Sequence, residues 1–193
     1  MLYIVRHGQT AQNREKRLLG RSDPPLDKTG EAQAVRLGER FRAAGIVFDR
    51  VYSSPLRRAL QTARLIAGEG VPIVTDERLI EMDYGPYEGM DLRHPDPEVL
   101  TFFSDFVHNP APEGMEPLSD VTARLGALLE ALRDEASSQT ILLSTHAIAM
   151  KGALEYLSPK SGGAWWSRYV GNCAVFRTAR TAEGYSVPEP LEL

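Results

Sequence analysis

The sequence predicts an α/β fold, a three-layer α/β/α sandwich with a mostly parallel central sheet and one long insertion. Short apolar, β-branched runs alternate along the chain with segments of helical periodicity, a pattern typical of a parallel sheet covered by helices on both faces. The 193 residues, of which 42% are hydrophobic and 25% charged, have the size and composition of one globular domain.

The first half of the chain predicts three strands and two helices. Leu2–Val5 is a short apolar run typical of a buried parallel strand, and the polar, Gly- and Pro-punctuated residues 8–27 form a long loop of the kind that tends to be functional. Thr29 is predicted to cap a helix that runs to about Ala44 and is ended by Gly45. The remaining predicted elements are a strand at Phe48–Tyr52, a helix capped by Ser54 with Pro55 at its first position and closed by Gly68, and a weaker strand at Val71–Thr75.

The second half begins with a segment of different composition. Residues 82–117 hold six prolines and several aromatic residues, which we interpret as an insertion with one short helix around Glu98–Val107. An amphipathic helix follows, marked by apolar residues at helical spacing: Leu118, Val121, Leu125, Leu128, Leu129 and Leu132. The last predicted elements are a strand at Thr140–Ser144, a helix at about Ile148–Leu157 and a strand at Asn172–Thr178.

Composition excludes several classes of function. With 22 basic and 26 acidic residues the net charge is −4, which disfavours a nucleic-acid partner. One cysteine and four histidines make neither a disulfide nor a recognisable zinc pattern. No run approaches 18 apolar residues, and a strand that starts at Leu2 leaves no room for a signal peptide, so we expect a cytoplasmic protein without a membrane partner.

The basic residues are unusual because 18 of the 22 are arginine. Arginine suits the planar, bidentate recognition of phosphate or carboxylate groups. A genomic bias toward arginine codons explains the same excess equally well, so the total by itself assigns no function.

Chemically versatile side chains follow several predicted strands. His7 comes after the first strand, His146 after the fourth, and two arginines lie in the loop Ser53–Arg58 after the second. Ligands bind at the carboxyl ends of strands in such sheets, so these groups and Glu81 converge if their strands are neighbours. Arginines clamp phosphoryl oxygens, a neutral imidazole is a competent nucleophile, and a carboxylic acid protonates a leaving group. Each residue alone has an ordinary structural explanation; their conjunction favours phosphoryl chemistry.

The N-terminal run LYIVRHGQT resembles the signature of the histidine phosphatase superfamily, whose fold is phosphoglycerate mutase-like. Similar stretches follow in the family's order: GRSDPPLDKTGEAQA from Gly20, SSPLRRALQTA from Ser53, LIEMDYGPYEG from Leu79, then Pro112–Asp120 and Leu143–His146. The resemblance covers nearly the whole chain, and it implies a single domain over residues 1–193 in which residues 82–117 approximately form a lid insertion.

The resemblance also implies a role for each matching residue. His7 would be the nucleophile that forms a phosphohistidine, and Glu81 the general acid and then the general base. The phosphate would be bound by Arg6, Asn13 and Arg58, whereas Arg57 would not contact it. His146 would stabilise the oxygens of the phosphoryl group during transfer. Further phosphate or substrate contacts are expected at Gly20, Tyr84 and Ala147, and neither a metal nor another cofactor is implied.

Departures from the family's pattern bear on the activity. Ala147 stands where the family usually has glycine, and its Cβ narrows the approach to the phosphate. The insertion carries one arginine, Arg93, whereas mutases of the family have longer insertions with more basic residues. We therefore favour a phosphatase over a phosphoglycerate mutase, although Tyr84 is a mutase-like feature.

The sequence is also compatible with a function of another class and with several substrates. A binding or regulatory protein on the same fold would be expected to lack some of the catalytic residues, which are all present. The expected partner is a small phosphate ester, with sugar phosphates, phosphoglycerates and α-ribazole phosphate as candidates. Trp165, Trp166 and Tyr169 are a candidate homodimer contact, and core packing explains them equally well.

Overall fold

A computed structural model describes residues 1–192, and it confirms the predicted α/β architecture. Leu193, the last residue of the predicted domain, lies outside the described residues. The strands are β1 Leu2–Arg6, β2 Arg50–Ser53, β3 Ile73–Thr75, β4 Ile141–Thr145, β5 Val175–Thr178, β6 Arg180–Thr181, β7 Gly184–Tyr185 and β8 Glu189–Pro190.

The central sheet has six strands in the order β3-β2-β4-β1-β5-β8. The four strands from β3 to β1 are parallel, whereas β5 and β8 add to the β1 side as antiparallel neighbours. Strands β1, β4 and β2 therefore lie side by side and end at the same edge of the sheet. This adjacency is the condition on which convergence of the predicted catalytic side chains depends.

Helices cover both faces of the sheet. They are α1 Ala11–Arg14, α2 Lys28–Ala43, α3 Arg57–Ala67, α4 Pro97–Ser104, α5 Leu118–Ala131, α6 Glu135–Ser138 and α7 Ala147–Leu157, with 3-10 turns at Glu77–Leu79 and Gly85–Tyr87.

Alternate side chains of β1 enter two separate cores, as the period of a strand requires. Leu2 and Ile4 pack in the core that contains α5 and α7. Tyr3 and Val5 pack on the other face, in the core that contains residues of α2 and α3. Two cores on either side of one sheet make the three layers that the sequence predicts.

Two predicted helix caps were wrong. Asp27 caps α2 by accepting the Gly30 N–H at 2.8 Å, so Thr29 lies inside the helix. Ser54 and Pro55 precede α3, which begins at Arg57, and the Ser54 hydroxyl instead contacts His146 at 2.8 Å. Asp27 makes a local cap two residues before Thr29, whereas Ser54 is diverted by a tertiary contact that local propensity does not contain.

Further boundaries also differ from prediction, among them the starts of β2 at Arg50 and of β3 at Ile73 and the end of α4 at Ser104. The long loop 8–27 contains the one-turn helix α1, because Thr10 and Asn13 exchange backbone and side-chain hydrogen bonds in a capping box. The last predicted strand begins at Val175 rather than Asn172, because Cys173 has a positive φ of 57°, which is not an extended conformation.

The C-terminal aromatic residues do not form one surface patch. Trp165 and Trp166 are buried, whereas Tyr169 is 89% exposed, so core packing accounts for the two tryptophans. No helix within residues 1–192 combines the length and apolar character needed to cross a membrane.

Candidate active site

Two histidines face each other at the end of the parallel strands. His7 directly follows β1 and His146 directly follows β4, and the paired register of these strands brings the ring centroids to 5.2 Å. Both side chains are almost completely buried. The adjacency of β1 and β4 is thus what assembles residues separated by more than 130 positions in the sequence.

Hydrogen bonding selects one tautomer of His7. Its Nδ1 lies 2.6 Å from the backbone oxygen of Gly8, a contact in which Nδ1 must carry the proton and donate. Burial, followed by the charges of Arg58 and Arg6, lowers the pKa of His7 well below its ordinary value. The ring is therefore neutral at pH 7 and keeps a free lone pair on Nε2, as a nucleophile requires.

The backbone around His7 is held from several directions. The His7 N–H donates to the Thr145 oxygen at 2.9 Å, and the Asn172 amide donates to the His7 oxygen at 3.0 Å. The Gly8 N–H donates to Thr62 Oγ1 at 3.0 Å. A Cβ at Gly8 would lie 2.5 Å from the Gly30 oxygen, so this close approach to α2 requires glycine.

Arg58 is fully buried beside the histidines. Its Nε donates to His146 Nδ1 at 3.1 Å, and its two terminal nitrogens donate to the backbone oxygens of Ser22 and Gly20 at 2.6 and 2.7 Å. Burial lowers its pKa to about 10, so it stays charged at neutral pH. Each terminal nitrogen has a second N–H beyond these two contacts. The neighbouring Arg57, by contrast, is exposed.

His146 is neutral and engaged on both sides of its ring. Burial and then the Arg58 charge lower its pKa well below the ordinary value. Because Nδ1 accepts from Arg58, the proton lies on Nε2 and is donated to Ser54 Oγ at 2.8 Å. The resemblance implies that His146 contacts the phosphoryl group directly. For that contact, the Nε2–H would have to leave the Ser54 hydroxyl and donate to a phosphoryl oxygen instead.

Gly20 supports Arg58 rather than offering a free N–H to a phosphate. The N–H groups of Gly20, Arg21 and Ser22 all donate to the Glu88 carboxylate at 3.0 to 3.2 Å. Glu88 thereby fixes the same loop whose carbonyl groups hold Arg58. Sequence analysis did not single out Glu88, because Glu88 does not contact the histidines itself. It holds the backbone of residues 20–22, which in turn holds Arg58.

Arg6 and Asn13 line the same cavity as His7 and present unused donors. Arg6 Nη1 donates to the Val170 oxygen at 2.5 Å, while its buried Nε has no partner within residues 1–192. The Asn13 Oδ1 accepts from the Thr10 N–H and from Asn172, which turns the amide nitrogen of Asn13 outward. Buried donors without partners are expected where an anionic ligand completes the hydrogen bonding.

Glu81 lies at the N-terminus of α7. Its Oε1 accepts from the Met82 and Ala149 N–H groups at 2.9 and 3.0 Å, and its Oε2 accepts from Ile148 at 3.2 Å. Oε2 therefore has the spare capacity to carry a transferable proton. The preceding backbone is fixed by Arg124, which donates to the Ile80 oxygen at 2.6 Å.

These groups border a cavity of about 300 Å³. Of the predicted site residues, Arg6, His7, Asn13, Glu81, Tyr84 and Ala147 line it. The cavity is not lined by Arg58, His146 or Gly20. These three residues lie behind its wall and contact one another, since Arg58 donates to both His146 and Gly20. Burial raises the pKa of Tyr84 well above its ordinary value, so its hydroxyl remains a hydrogen-bond donor.

Sequence reasoning missed several residues of the cavity wall. Lys151 and Tyr169 line it, as does Arg17 from the long loop that follows β1. Lys151 follows Ala147 by one helical turn, a spacing that could have placed it on the same wall. Within residues 1–192, no three His, Cys, Asp or Glu side chains are grouped closely enough to hold a metal ion.

Two buried histidines, a buried arginine and a glutamate thus meet at one edge of a mostly parallel α/β sheet, and comparison with known proteins identifies the family. Residues 2–189 match the model of the histidine phosphatase superfamily, branch 1. The chain belongs to this family.

Individual relatives differ in the activity that their names state. The chain is 36% identical over 183 residues to a probable phosphoglycerate mutase, GpmB, of Escherichia coli, covering 91% of this chain and 83% of the relative. It superposes on phosphoserine phosphatase from Entamoeba histolytica in complex with 3-phosphoglyceric acid with a TM-score of 0.82 and 26% identity, covering 99% and 94% of the two chains. It also resembles mycobacterial glucosyl-3-phosphoglycerate phosphatase with bound VO3, with a TM-score of 0.80, 28% identity and 92% coverage of each chain.

Proposed function

We propose that the protein is a metal-independent phosphomonoester hydrolase that acts through a phosphohistidine on His7. The observation that carries this proposal is the neutral His7 ring, whose Nδ1–H is held by the Gly8 oxygen and whose Nε2 is left as the nucleophile. Arg6, Asn13 and Glu81 line the same cavity as His7, and Arg58 donates to the neighbouring His146.

The first step transfers the phosphoryl group to the protein. His7 Nε2 attacks phosphorus, a P–N bond forms, and the bond from phosphorus to the ester oxygen breaks. The carboxyl group of Glu81 gives its proton to the departing alkoxide, which leaves as the neutral alcohol. Arg6 and Arg58 stabilise the charge on the three equatorial oxygens, the stabilisation that metal ions supply in many other phosphoryl-transfer enzymes.

The second step returns the protein to its starting state. The Glu81 carboxylate takes a proton from a water molecule whose oxygen attacks phosphorus, and the P–N bond breaks. Inorganic phosphate leaves, His7 is again neutral, and Glu81 is again protonated. One phosphate ester and one water are consumed, and one alcohol and one phosphate are formed.

A phosphoglycerate mutase is the second candidate, because the Escherichia coli relative named above carries that name. Hydrolysis is favoured by the insertion, where Arg93 pairs with Asp91 at 2.6 Å and is largely exposed. Arg93 does not line the cavity. The insertion therefore contributes no cationic side chain that would retain a phosphorylated product between two transfers.

The two candidates separate in a direct assay. We expect the purified protein to release inorganic phosphate from p-nitrophenyl phosphate and from small alkyl phosphates at an unchanged rate in EDTA, because arginines supply the positive charge. With 3-phosphoglycerate and catalytic 2,3-bisphosphoglycerate, we expect phosphate release to exceed formation of 2-phosphoglycerate. Predominant isomerisation would establish the mutase instead, and a strict metal requirement would contradict the proposed mechanism.

The histidine environment predicts an acid limit of activity. Because the pKa of His7 in the ligand-free protein lies well below its ordinary value, lowering the pH to 6.5 leaves Nε2 unprotonated, and kcat/KM should lose this group's contribution only at lower pH, when the ring takes up a proton. The measurement is kcat/KM for p-nitrophenyl phosphate from about pH 4 to pH 8, together with NMR titration of the imidazoles of the ligand-free protein assigned by single substitutions. A His7 ring that protonates at or above pH 6.5 would contradict the assignment.

A further inference from the structure

Two charged residues outside the cavity contact the segment that carries Glu81. Glu116 belongs to the last residues of the insertion, and Arg124 lies on α5. Arg124 Nε donates to Glu116 Oε1 at 2.7 Å and its Nη2 donates to Oε2 at 3.1 Å, which makes a two-point ion pair. The side chains of Arg124 and Glu116 are only 17% and 13% exposed, and neither lines the cavity that holds His7.

Each partner of this ion pair also holds backbone next to Glu81. Arg124 Nη1 donates to the Ile80 oxygen at 2.6 Å, directly before Glu81. Glu116 Oε2 accepts the Asp83 N–H at 3.0 Å, and the Glu116 N–H donates to the Asp83 oxygen at 2.8 Å. The pair therefore connects the chain before Glu81 to the chain after it.

The backbone around Glu81 depends on such contacts because residues 80–84 belong to no helix or strand. One 3-10 turn ends at Leu79 and the next begins at Gly85, so no regular series of hydrogen bonds fixes the chain between them. The N-terminus of α7 orients the carboxyl group of Glu81, whereas contacts to residues 80 and 83 hold the backbone that carries it.

Stability by itself gives little reason for a largely buried ion pair. Taking two charges out of water costs free energy, and well-packed apolar residues often replace such a pair without loss of stability. The contacts of Glu116 and Arg124 give a different reason. Their side chains bind three backbone groups around Glu81, which are the oxygens of Arg78 and Ile80 and the N–H of Asp83.

We propose that the ion pair of Glu116 and Arg124 positions the general acid Glu81 for proton transfer to the leaving group. This inference rests on the proposed function, because it takes Glu81 to be that acid. Glu116 and Arg124 are then positioning residues, which act through the backbone of residues 80–83. Their effect on the rate comes from holding the carboxyl group within hydrogen-bonding reach of the ester oxygen.

The test compares two substrates whose leaving groups differ in basicity. Glycerol 3-phosphate requires the proton of Glu81, whereas p-nitrophenyl phosphate releases a stable anion. For each substrate kcat/KM covers the steps through departure of the leaving group, so the ratio of the two values measures the assistance that the leaving group receives. We expect Arg124→Met to lower kcat/KM about 10- to 100-fold for glycerol 3-phosphate and less than about threefold for p-nitrophenyl phosphate.

Two further variants keep the test decisive if Arg124→Met folds poorly. Arg124→Met leaves Glu116 without its partner, a destabilising change, so the double variant Glu116→Met/Arg124→Met removes both charges together. It should show the same selective loss with glycerol 3-phosphate. Arg124→Lys keeps the charge but lacks the planar fork that reaches Glu116 and the Ile80 oxygen at once, so its selective loss should be smaller.

Arg78→Met is the matched control. Arg78 also forms an ion pair, with Asp76 at 2.6 Å, and donates to the Ala127 oxygen of α5. Within residues 1–192 its side chain forms no hydrogen bond to residues 80–83. The ratio of kcat/KM values for Arg78→Met should equal that of the unmodified protein, whatever the change in melting temperature, because a general loss of stability does not distinguish the two leaving groups.

A double-mutant cycle with Glu81→Gln shows whether the ion pair acts through Glu81. Adding Arg124→Met to Glu81→Gln should lower kcat/KM for glycerol 3-phosphate by less than about threefold, because the acid that the pair positions is already absent. An equal effect on both substrates in the Arg124 variants, unchanged rates, or a full additional loss on top of Glu81→Gln overturns this inference alone. If Glu81→Gln affects both substrates equally, or the unmodified protein hydrolyses no phosphomonoester, the proposed function fails and this inference fails with it.

Discussion

Substitution of His7 by alanine is expected to lower the kcat for p-nitrophenyl phosphate by at least about 10⁴-fold. The substitution removes the nitrogen that forms the P–N bond. His146 does not replace it, because its Nδ1 accepts from Arg58 and its Nε2 carries a proton, so that neither nitrogen has a free lone pair. Initial rates of nitrophenol release measure the effect directly.

A trapping experiment shows that His7 carries the phosphoryl group. Acid-labile, base-stable phosphate should appear on the unmodified protein after rapid quenching with a phosphorus-labelled ester, and should be absent from His7→Ala. His94→Ala is the matched control, because the side chain of His94 is 85% exposed and does not line the cavity. Equal labelling of His7→Ala and the unmodified protein would place the nucleophile elsewhere.

The strand ends that carry His7 and His146 could be predicted from the sequence, since each follows a short apolar run. Periodicity did not establish that β1 and β4 are neighbours; the sheet order shows it. The distinction between Arg57 and Arg58 came from the family resemblance, which implies the arginine next to Ala59. The structure gives the physical difference, because Arg58 is fully buried against His146 while Arg57 is exposed.

Residues that act through long-range contacts could not be predicted. Asn172 reaches the His7 backbone across 165 positions of sequence, and Glu88 reaches Gly20 across 68. No local pattern encodes either contact, because both depend on how the loops pack after the sheet has formed.

The total number of arginines was similarly uninformative about function, because individual arginines do different things. Arg6 and Arg58 lie close enough to His7 to lower its pKa, whereas Arg124 fixes the backbone before Glu81.

Substitution of Glu81 by glutamine should separate the two steps of the proposed reaction. Glutamine keeps an oxygen that can accept from the Met82 and Ala149 N–H groups, as Oε1 does now, but it has no transferable carboxyl proton. The leaving group of an alkyl phosphate such as glycerol 3-phosphate is a strongly basic alkoxide that needs this proton, so hydrolysis of that substrate should fall by about 10²- to 10⁴-fold. The leaving group of p-nitrophenyl phosphate is stable as an anion, so its transfer to His7 should be slowed far less.

With p-nitrophenyl phosphate the second step then becomes limiting, because the general base that activates water is missing. We expect Glu81→Gln to release one equivalent of nitrophenol in a rapid burst and then to turn over slowly, with phosphohistidine accumulating during the slow phase. Stopped-flow absorbance and quenched labelling measure the two signals on the same variant. If burst and accumulation are both absent and the two substrates lose activity equally, Glu81 merely supports the N-terminus of α7, where Ile148 and Ala149 now donate to it, and the proton required by the alkoxide comes from another group.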